Sequence, residues 1–398
     1  VAMASGGGAG KKAVVEKESV LMLDFSQHIP EQTNNIGSRT FSFEEHNIPG
    51  LHDVAGLITH AADDPKIKGI LIENGTSALG SSSAKIILDA LETFKASDKF
   101  IAAYGDYYTQ QGYYLASPAD HITLHPVGTV DFRGFASYSP FFKGLLDKLS
   151  LDIQIYYAGN FKSATEPFRR YDMSPENKLQ TREYLNDTYA MFLDDIAKAR
   201  NVSVDSLKAM AWQFKIKSAE DALRYKLVDE LGAKADCEAW MNEKMGKAHG
   251  DKIHFVTMDE YANATPSAPV NYKAKDKIAV VYAEGEIVSG HNEYGVIDDG
   301  RYVKLLKDLR RQDDIKAVVL RINSPGGSIL SAENIYRQLT GLKEDGKKIV
   351  VSMGDLAASG GYYLSAMADS IFAQPNTLTG SIGVFSIFPN PSRALNEK

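Results

Sequence analysis

Apolar residues change period twice between residues 315 and 352. Ala317-Val318-Val319-Leu320 is a continuous apolar run of strand length, Ile335 to Leu342 recurs at helical spacing, and Lys348-Ile349-Val350-Val351-Ser352 is a short run again. This order predicts a βαβ unit with a strand over Val318–Ile322, a crossover helix and a mainly parallel sheet. Another apolar strand begins near Ile278. Earlier, Ser174-Pro175-Glu176 predicts the start of a long helix, with Ser as N-cap and Pro at the first position. Its apolar face is Leu179, Tyr184, Leu185, Tyr189, Phe192 and Ile196. A second helix is predicted over Ser218–Leu231, with Asp221 three residues after its capping serine. The stretch from Met258 to Ala274, with Pro266 and Pro269, reads as a linker. No run approaches the ~20 apolar residues of a membrane helix.

The pattern occurs twice. Gly105-Asp106-Tyr107-Tyr108-Thr109-Gln110-Gln111-Gly112-Tyr113-Tyr114-Leu115 returns 249 residues later as Gly354-Asp355-Leu356-Ala357-Ala358-Ser359-Gly360-Gly361-Tyr362-Tyr363-Leu364. Nine of the eighteen positions from 105 to 122 are identical in that register, too many for coincidence. Upstream the shift is 248, with Ile67-Lys68-Gly69-Ile70-Leu71-Ile72 against Ile315-Lys316-Ala317-Val318-Val319-Leu320. The period is that of a duplicated domain rather than a solenoid.

Composition narrows the class. The 398 residues have a net charge of −7, 44% hydrophobic and 24% charged residues. That is an ordinary globular balance, neither disordered nor suited to nucleic acid. The single cysteine, Cys237, excludes an internal disulfide and has no local partner for zinc. The first ten residues, Val1-Ala2-Met3-Ala4-Ser5-Gly6-Gly7-Gly8-Ala9-Gly10, read as a flexible linker following a removed segment. Gly6 to Lys12 mimics a phosphate loop only superficially, because no strand precedes it and Lys12 stands where Ser or Thr is needed. The stop at Lys398, without a polar tail, is also expected to be a cut.

The two copies differ where chemistry is plausible. Ser359 stands against Gln110, and Gly326-Gly327 within Asn323-Ser324-Pro325-Gly326-Gly327-Ser328 stand against Ala78-Leu79. Glycine turns let backbone N–H groups approach a reacting carbonyl and form an oxyanion hole. The segment Ala357-Ala358-Ser359-Gly360-Gly361 also reads as small residues for close helix packing. A nucleophilic serine needs a base. The nine histidines are His28, His46, His52, His60, His121, His125, His249, His254 and His291, none of them near Ser359 in sequence. His121 and His125 read as a structural pair in a strand, not a metal site. The remaining base is a neutral lysine, although only about one exposed lysine in a thousand is neutral near pH 7.4. Lys162, in Gly159-Asn160-Phe161-Lys162-Ser163-Ala164-Thr165-Glu166-Pro167-Phe168-Arg169-Arg170, has apolar neighbours and two arginines that would lower its pKa. Glu166 would raise it. The segment equally reads as a solvated loop.

Four segments together resemble the double-length signal peptide peptidase A family, bacterial Ser/Lys peptidases of the ClpP/crotonase superfamily. They are Phe161-Lys162-Ser163-Ala164-Thr165-Glu166-Pro167-Phe168, Asn323-Ser324-Pro325-Gly326-Gly327-Ser328, Ala357-Ala358-Ser359-Gly360-Gly361-Tyr362 and Leu378-Thr379-Gly380-Ser381-Ile382-Gly383. The resemblance runs from about residue 19 over nearly the whole chain. It implies an α/β fold with two tandem ClpP/crotonase-like domains, the second truncated. It also implies Ser359 as nucleophile, Lys162 as general base, Ser381 orienting the lysine, and Gly360, Gly326 and Gly327 as oxyanion donors. No metal or organic cofactor is implied. The expected activity is endopeptidase cleavage of hydrophobic peptides such as remnant signal peptides, by a homotetramer at the bacterial inner membrane facing the periplasm. The anchor would precede Val1. The expected layout is a tail at 1–18, a first domain at 19–257 supplying the lysine, a linker at 258–275 and a second domain at 276–398 supplying the serine. Two other readings stay open on residues alone, a crotonase-like acyl-CoA enzyme and a non-catalytic assembly module.

Overall fold

The computed structural model describes residues 15–33, 49–265, 274–290 and 295–397. The chain divides into two compact units, Val1–Arg133 with Phe192–Lys273, and Gly134–Met191 with Ala274–Lys398. In the first unit, β1 (Ser19–Asp24), β2 (Ile67–Glu73), β3 (Phe100–Gly105) and β4 (His121–Leu124) alternate with helices. A later stretch adds β6 (Glu230–Leu231) and β7 (His254–Thr257) at the two edges; β5 (Asp152–Tyr157) belongs to the second unit. The order is β6-β4-β3-β2-β1-β7, every pair parallel. Parallel strands are covered on both faces, which explains the unbroken burial of Ile70, Leu71 and Ile72.

The second unit repeats this plan. β8 (Lys277–Glu284), β11 (Ile315–Ser324), β12 (Lys348–Ala358) and β13 (Ser370–Phe372) pair in parallel in the order β13-β12-β11-β8. That order matches β4-β3-β2-β1, so the repeat read from identities is also a repeat of topology. The predicted crossover is the helix Ile329–Glu344 between β11 and β12. It buries Ile335, Leu339 and Leu342 against Val318, Leu320 and Val351 of the sheet. β9 (Ile287–Val288) pairs with β10 (Ile297–Asp298), β14 (Leu378–Gly380) with the far end of β12, and β15 (Phe385–Asn390) antiparallel with β5.

Several expectations shift. The boundary drawn at 257/276 differs from the spatial division, because residues 134–191 pack with the second sheet's unit. The expected linker starts with a helix, Met258–Ala264, held by a capping box between Thr257 and Glu260; residues 266–273, like residues 1–14 of the expected tail, lie outside the described residues. The long helix spans Pro175–Arg200 with Ser174 Oγ accepting from the Asn177 N–H, as capping chemistry predicts. Its apolar face is uneven: Phe192 and Ile196 are buried, Leu179 is exposed. The helix expected over Ser218–Leu231 is only Ala219–Arg224. Lys226 adopts φ 62°, which ends the helix, and Glu230 and Leu231 then pair with β4. His121, read as half of a structural pair with His125, has other partners: its Nε2 pairs with Glu230 at 2.9 Å and its ring stacks on Trp240. Among the described residues, no His, Cys, Asp or Glu cluster could hold a metal ion, and no helix is long and apolar enough to cross a membrane.

Leu339 is fully buried where the crossover helix meets its sheet. Leu339→Ala should cost about 2–5 kcal/mol, read as a shift of the urea midpoint; a loss below about 1 kcal/mol would contradict this packing.

Candidate active site

The C-terminal end of β12 runs directly into the short helix Gly360–Ser365, and Ser359 at the junction has φ 52° and ψ −117°. A residue with a Cβ adopts this conformation at a cost of about 1–3 kcal/mol, and only where its surroundings over-determine it. Here they do. The Ser359 N–H donates to the Gly380 carbonyl at 2.9 Å, and its carbonyl accepts from the Tyr363 N–H at 2.9 Å. Its counterpart in the first unit, Gln110, sits inside a normal helix capped by Thr109. The strained conformation therefore belongs to the copy that carries the serine.

β14 brings in the second serine. Leu378, Thr379 and Gly380 pair with Leu356, Ala357 and Ala358, so the residue that follows, Ser381, emerges beside Ser359. Ser381 also has a positive φ, 48°. The chain then enters β15, whose ladder with β5 pairs Phe385 with Tyr157 through Asn390 with Asp152. The Ala158 N–H donates to the Val384 carbonyl at 3.0 Å and continues the ribbon one step further. Lys162 follows on the β5 side and Ser381 precedes on the β15 side, so one ribbon end brings both to the serine.

Lys162 is 3% exposed. Its Nζ lies 3.2 Å from Ser359 Oγ, 3.0 Å from Ser381 Oγ and 2.7 Å from the Ser381 carbonyl oxygen. Burial holds its pKa below the ordinary lysine value, because taking an ammonium out of water disfavours the charged form. Neither Glu166 nor the two arginines contributes, contrary to the reading from sequence neighbours. The Glu166 carboxylate is itself buried and turned to another set of partners, accepting from the Ser174 N–H at 3.1 Å and from Asn177 Nδ2 at 2.9 Å. Burial alone would raise its pKa, but these hydrogen bonds and the nearby Arg169 outweigh that and lower it. Arg169 lies over the Tyr157 ring and Arg170 bonds Asp172. Gln180 Nε2, from the long helix, donates to the Phe161 carbonyl at 3.1 Å and to Ser163 Oγ at 3.0 Å, pinning the loop on both sides of Lys162. Because the folded pKa lies below the unfolded one, the penalty for burying this amine is fully present below the folded value. It is relieved as pH rises towards the unfolded value.

The glycine turn lies against the serine. Gly326 has φ 95°, and a Cβ there would fall 2.6 Å from Gly360 N and 2.8 Å from Ser359 Cβ. Gly327 has φ 152°, and its Cβ would strike the Ile287 carbonyl oxygen at 2.1 Å. Of the three expected oxyanion donors, Gly326 is spoken for, since its N–H donates to Ser324 Oγ at 3.1 Å. Gly360 opens its helix, where an N–H has no partner in the helical ladder, and Gly327 N lies 3.4 Å from where a Cβ on Gly360 would be. Sequence reasoning passed over Ser324, Gln180 and the Ile287 backbone. Ser324 stood in a quoted motif, but nothing local marked its hydroxyl as structural. Cys237 is no rival nucleophile: it is buried in the first unit and burial pushes its thiol up to about 12.

The model of peptidase family S49 matches residues 93–249 and 341–398. The chain belongs to that family. Among its relatives, "Protease 4" of Haemophilus influenzae is 34% identical over 98% of this chain and 66% of its own length. "Protease 4" of Salmonella typhi is 34% identical over 98% of this chain and 65% of its own. The chloroplastic serine protease SPPA of Arabidopsis thaliana is 26% identical over 93% of this chain and 54% of its own. The chain thus spans just under two thirds of the length of the two relatives named Protease 4.

The backbone strain at Ser359 has a measurable consequence. Ser359→Gly should be more stable than Ser359→Ala by about 1 kcal/mol, since glycine relieves roughly 1–3 kcal/mol of strain and returns part of it as chain entropy. Thermal unfolding of the two variants decides it; equal stabilities would show that the junction is unstrained.

Proposed function

We propose that the protein is a serine endopeptidase in which Ser359 is the nucleophile, Lys162 the general base and Ser381 the residue that orients the lysine. The observation that carries this reading is the buried Lys162 amine within hydrogen-bonding distance of both serine hydroxyls and, among the described residues, of no carboxylate. A neutral amine has two N–H bonds and one lone pair. Directing the N–H bonds at the Ser381 carbonyl and Oγ aims the lone pair at the Ser359 hydroxyl.

The cycle then balances. Ser359 Oγ attacks the peptide carbonyl as its proton passes to Lys162, and the oxyanion forms against the N–H groups of Gly327 and Gly360. The tetrahedral intermediate collapses as the Lys162 ammonium gives that proton to the leaving amine. Lys162 next takes a proton from water, which attacks the acyl-enzyme, and the proton returns to Ser359 Oγ. Gly326, whose N–H is engaged by Ser324, shapes the turn without donating.

Exposed apolar side chains follow or precede three parts of this arrangement in sequence: Phe161 beside Lys162, Ile382 and Val384 after Ser381, Ile329 and Leu330 after the glycine turn. They suit hydrophobic peptides, and we infer remnant signal peptides as the substrate class, cleaved by a homotetramer at the extracytoplasmic face of the bacterial inner membrane. The family resemblance supports this assignment.

Lys162→Ala and Ser359→Ala should each lower kcat/KM by about 10²–10⁴ or more, with the double variant no worse than the poorer single one. In the unsubstituted protein, activity should fall as pH drops through the lowered Lys162 pKa, because the protonated amine cannot accept a proton. A fluorophosphonate should label Ser359. Near-normal cleavage by Lys162→Ala would remove the dyad, and absence of labelling with thioester binding would favour an acyl-CoA enzyme.

A further inference from the structure

The peptide unit that would present the Gly327 N–H is held from both sides. The Gly326 carbonyl accepts from the Ile287 N–H at 2.8 Å, and the Ser328 N–H donates to the Ile287 carbonyl at 2.8 Å. A trans peptide points its carbonyl and N–H in opposite directions. Tying the Gly326 carbonyl to Ile287 therefore turns the Gly327 N–H away from Ile287. The preceding peptide is fixed by one side chain. Ser324 is completely buried, its Oγ donates to the Gly285 carbonyl at 2.7 Å and accepts from the Gly326 N–H at 3.1 Å. Its hydroxyl has thus spent its single proton on the end of β8 and a lone pair on the turn. Gly285 in turn donates its N–H to the Asn323 carbonyl at 3.0 Å, closing a loop of bonds around the turn.

We propose that Ser324 is a positioning residue for the oxyanion hole: it holds the Gly326 N–H out of the site and fixes the turn so that only the Gly327 N–H, with that of Gly360, meets the developing oxyanion. This deepens the peptidase reading and rests on it. Ser324 touches no reacting atom. Its removal leaves the Gly326 N–H seeking another partner and frees the turn to rotate, so an interaction realised only in the tetrahedral state weakens while ground-state peptide binding does not.

The test compares Ser324→Ala and Ser324→Thr with the unsubstituted full chain, using a fluorogenic hydrophobic peptide and a peptide aldehyde of the same sequence. The aldehyde forms a hemiacetal with the nucleophile and reports the oxyanion hole directly. Loss of a direct oxyanion donor costs about 10²–10³ in kcat, so a misaimed donor in Ser324→Ala should cost about 10–100-fold. The aldehyde Ki should rise by a similar factor, KM should stay within about twofold, and Ser324→Thr should recover most of both losses. Unchanged kcat in Ser324→Ala, or a lower kcat with an unchanged aldehyde Ki, would overturn the proposal. So would a collapse of the melting temperature that Ser324→Thr shares, which would make the residue merely structural. Failure of the unsubstituted chain to cleave the peptide or to be labelled at Ser359 would instead sink the peptidase reading.

Discussion

The arrangement depends on burying one amine without giving it a countercharge. A lysine paired with a carboxylate stays protonated, because the pair favours the charged form. Among the described residues, Lys162 has three oxygen partners, two hydroxyls and a carbonyl, and none is an anion. The one carboxylate close in sequence, Glu166, is drawn into hydrogen bonds with Ser174 and Asn177 and fixes the loop instead. Desolvation is then free to act alone. The same burial costs stability wherever the lysine must be carried charged, so the general base proposed for this site comes at the expense of folding free energy.

That trade requires rigid surroundings, and the fold supplies them from two directions. The ribbon of β5 and β15 ties Lys162 and Ser381 to a single end. The parallel extension of β12 by β14 ties Ser381 and Ser359 to another. The three side chains are thereby fixed by backbone ladders rather than by each other. Both serines sit at positive φ, conformations that persist only where neighbouring hydrogen bonds leave no alternative. The first unit shows what the same scaffold looks like without the demand: Gln110 lies in an unstrained helix, its side chain accepting from the Arg133 N–H.

Much of this was legible in the sequence. The βαβ order, the duplication and the serine-bearing turn followed from hydrophobic period and from the differences between the copies, both local signals. The helix at Ser218 was overdrawn because the left-handed Lys226 that ends it carries no glycine or proline to announce it. Electrostatic neighbours of Lys162 were misjudged for a related reason: adjacency in sequence put Glu166, Arg169 and Arg170 beside it, while the loop's path turns all three to other partners. Likewise, the grouping of residues 134–191 with the second sheet's unit rests on β5–β15 pairing across more than two hundred residues, which no local pattern encodes. Ser324 was visible only as part of a turn motif, since its role lies in which backbone groups its hydroxyl reaches.

The claim at the centre is that burial alone keeps the Lys162 amine available as a base. The most direct measurement is an NMR titration of the Nζ resonances in protein labelled with ¹⁵N-lysine, with Lys162 assigned by the signal lost in Lys162→Arg. The account predicts a midpoint below the ordinary lysine value of about 10.4, unchanged when Glu166 is replaced by glutamine. A midpoint at or above that value would contradict it.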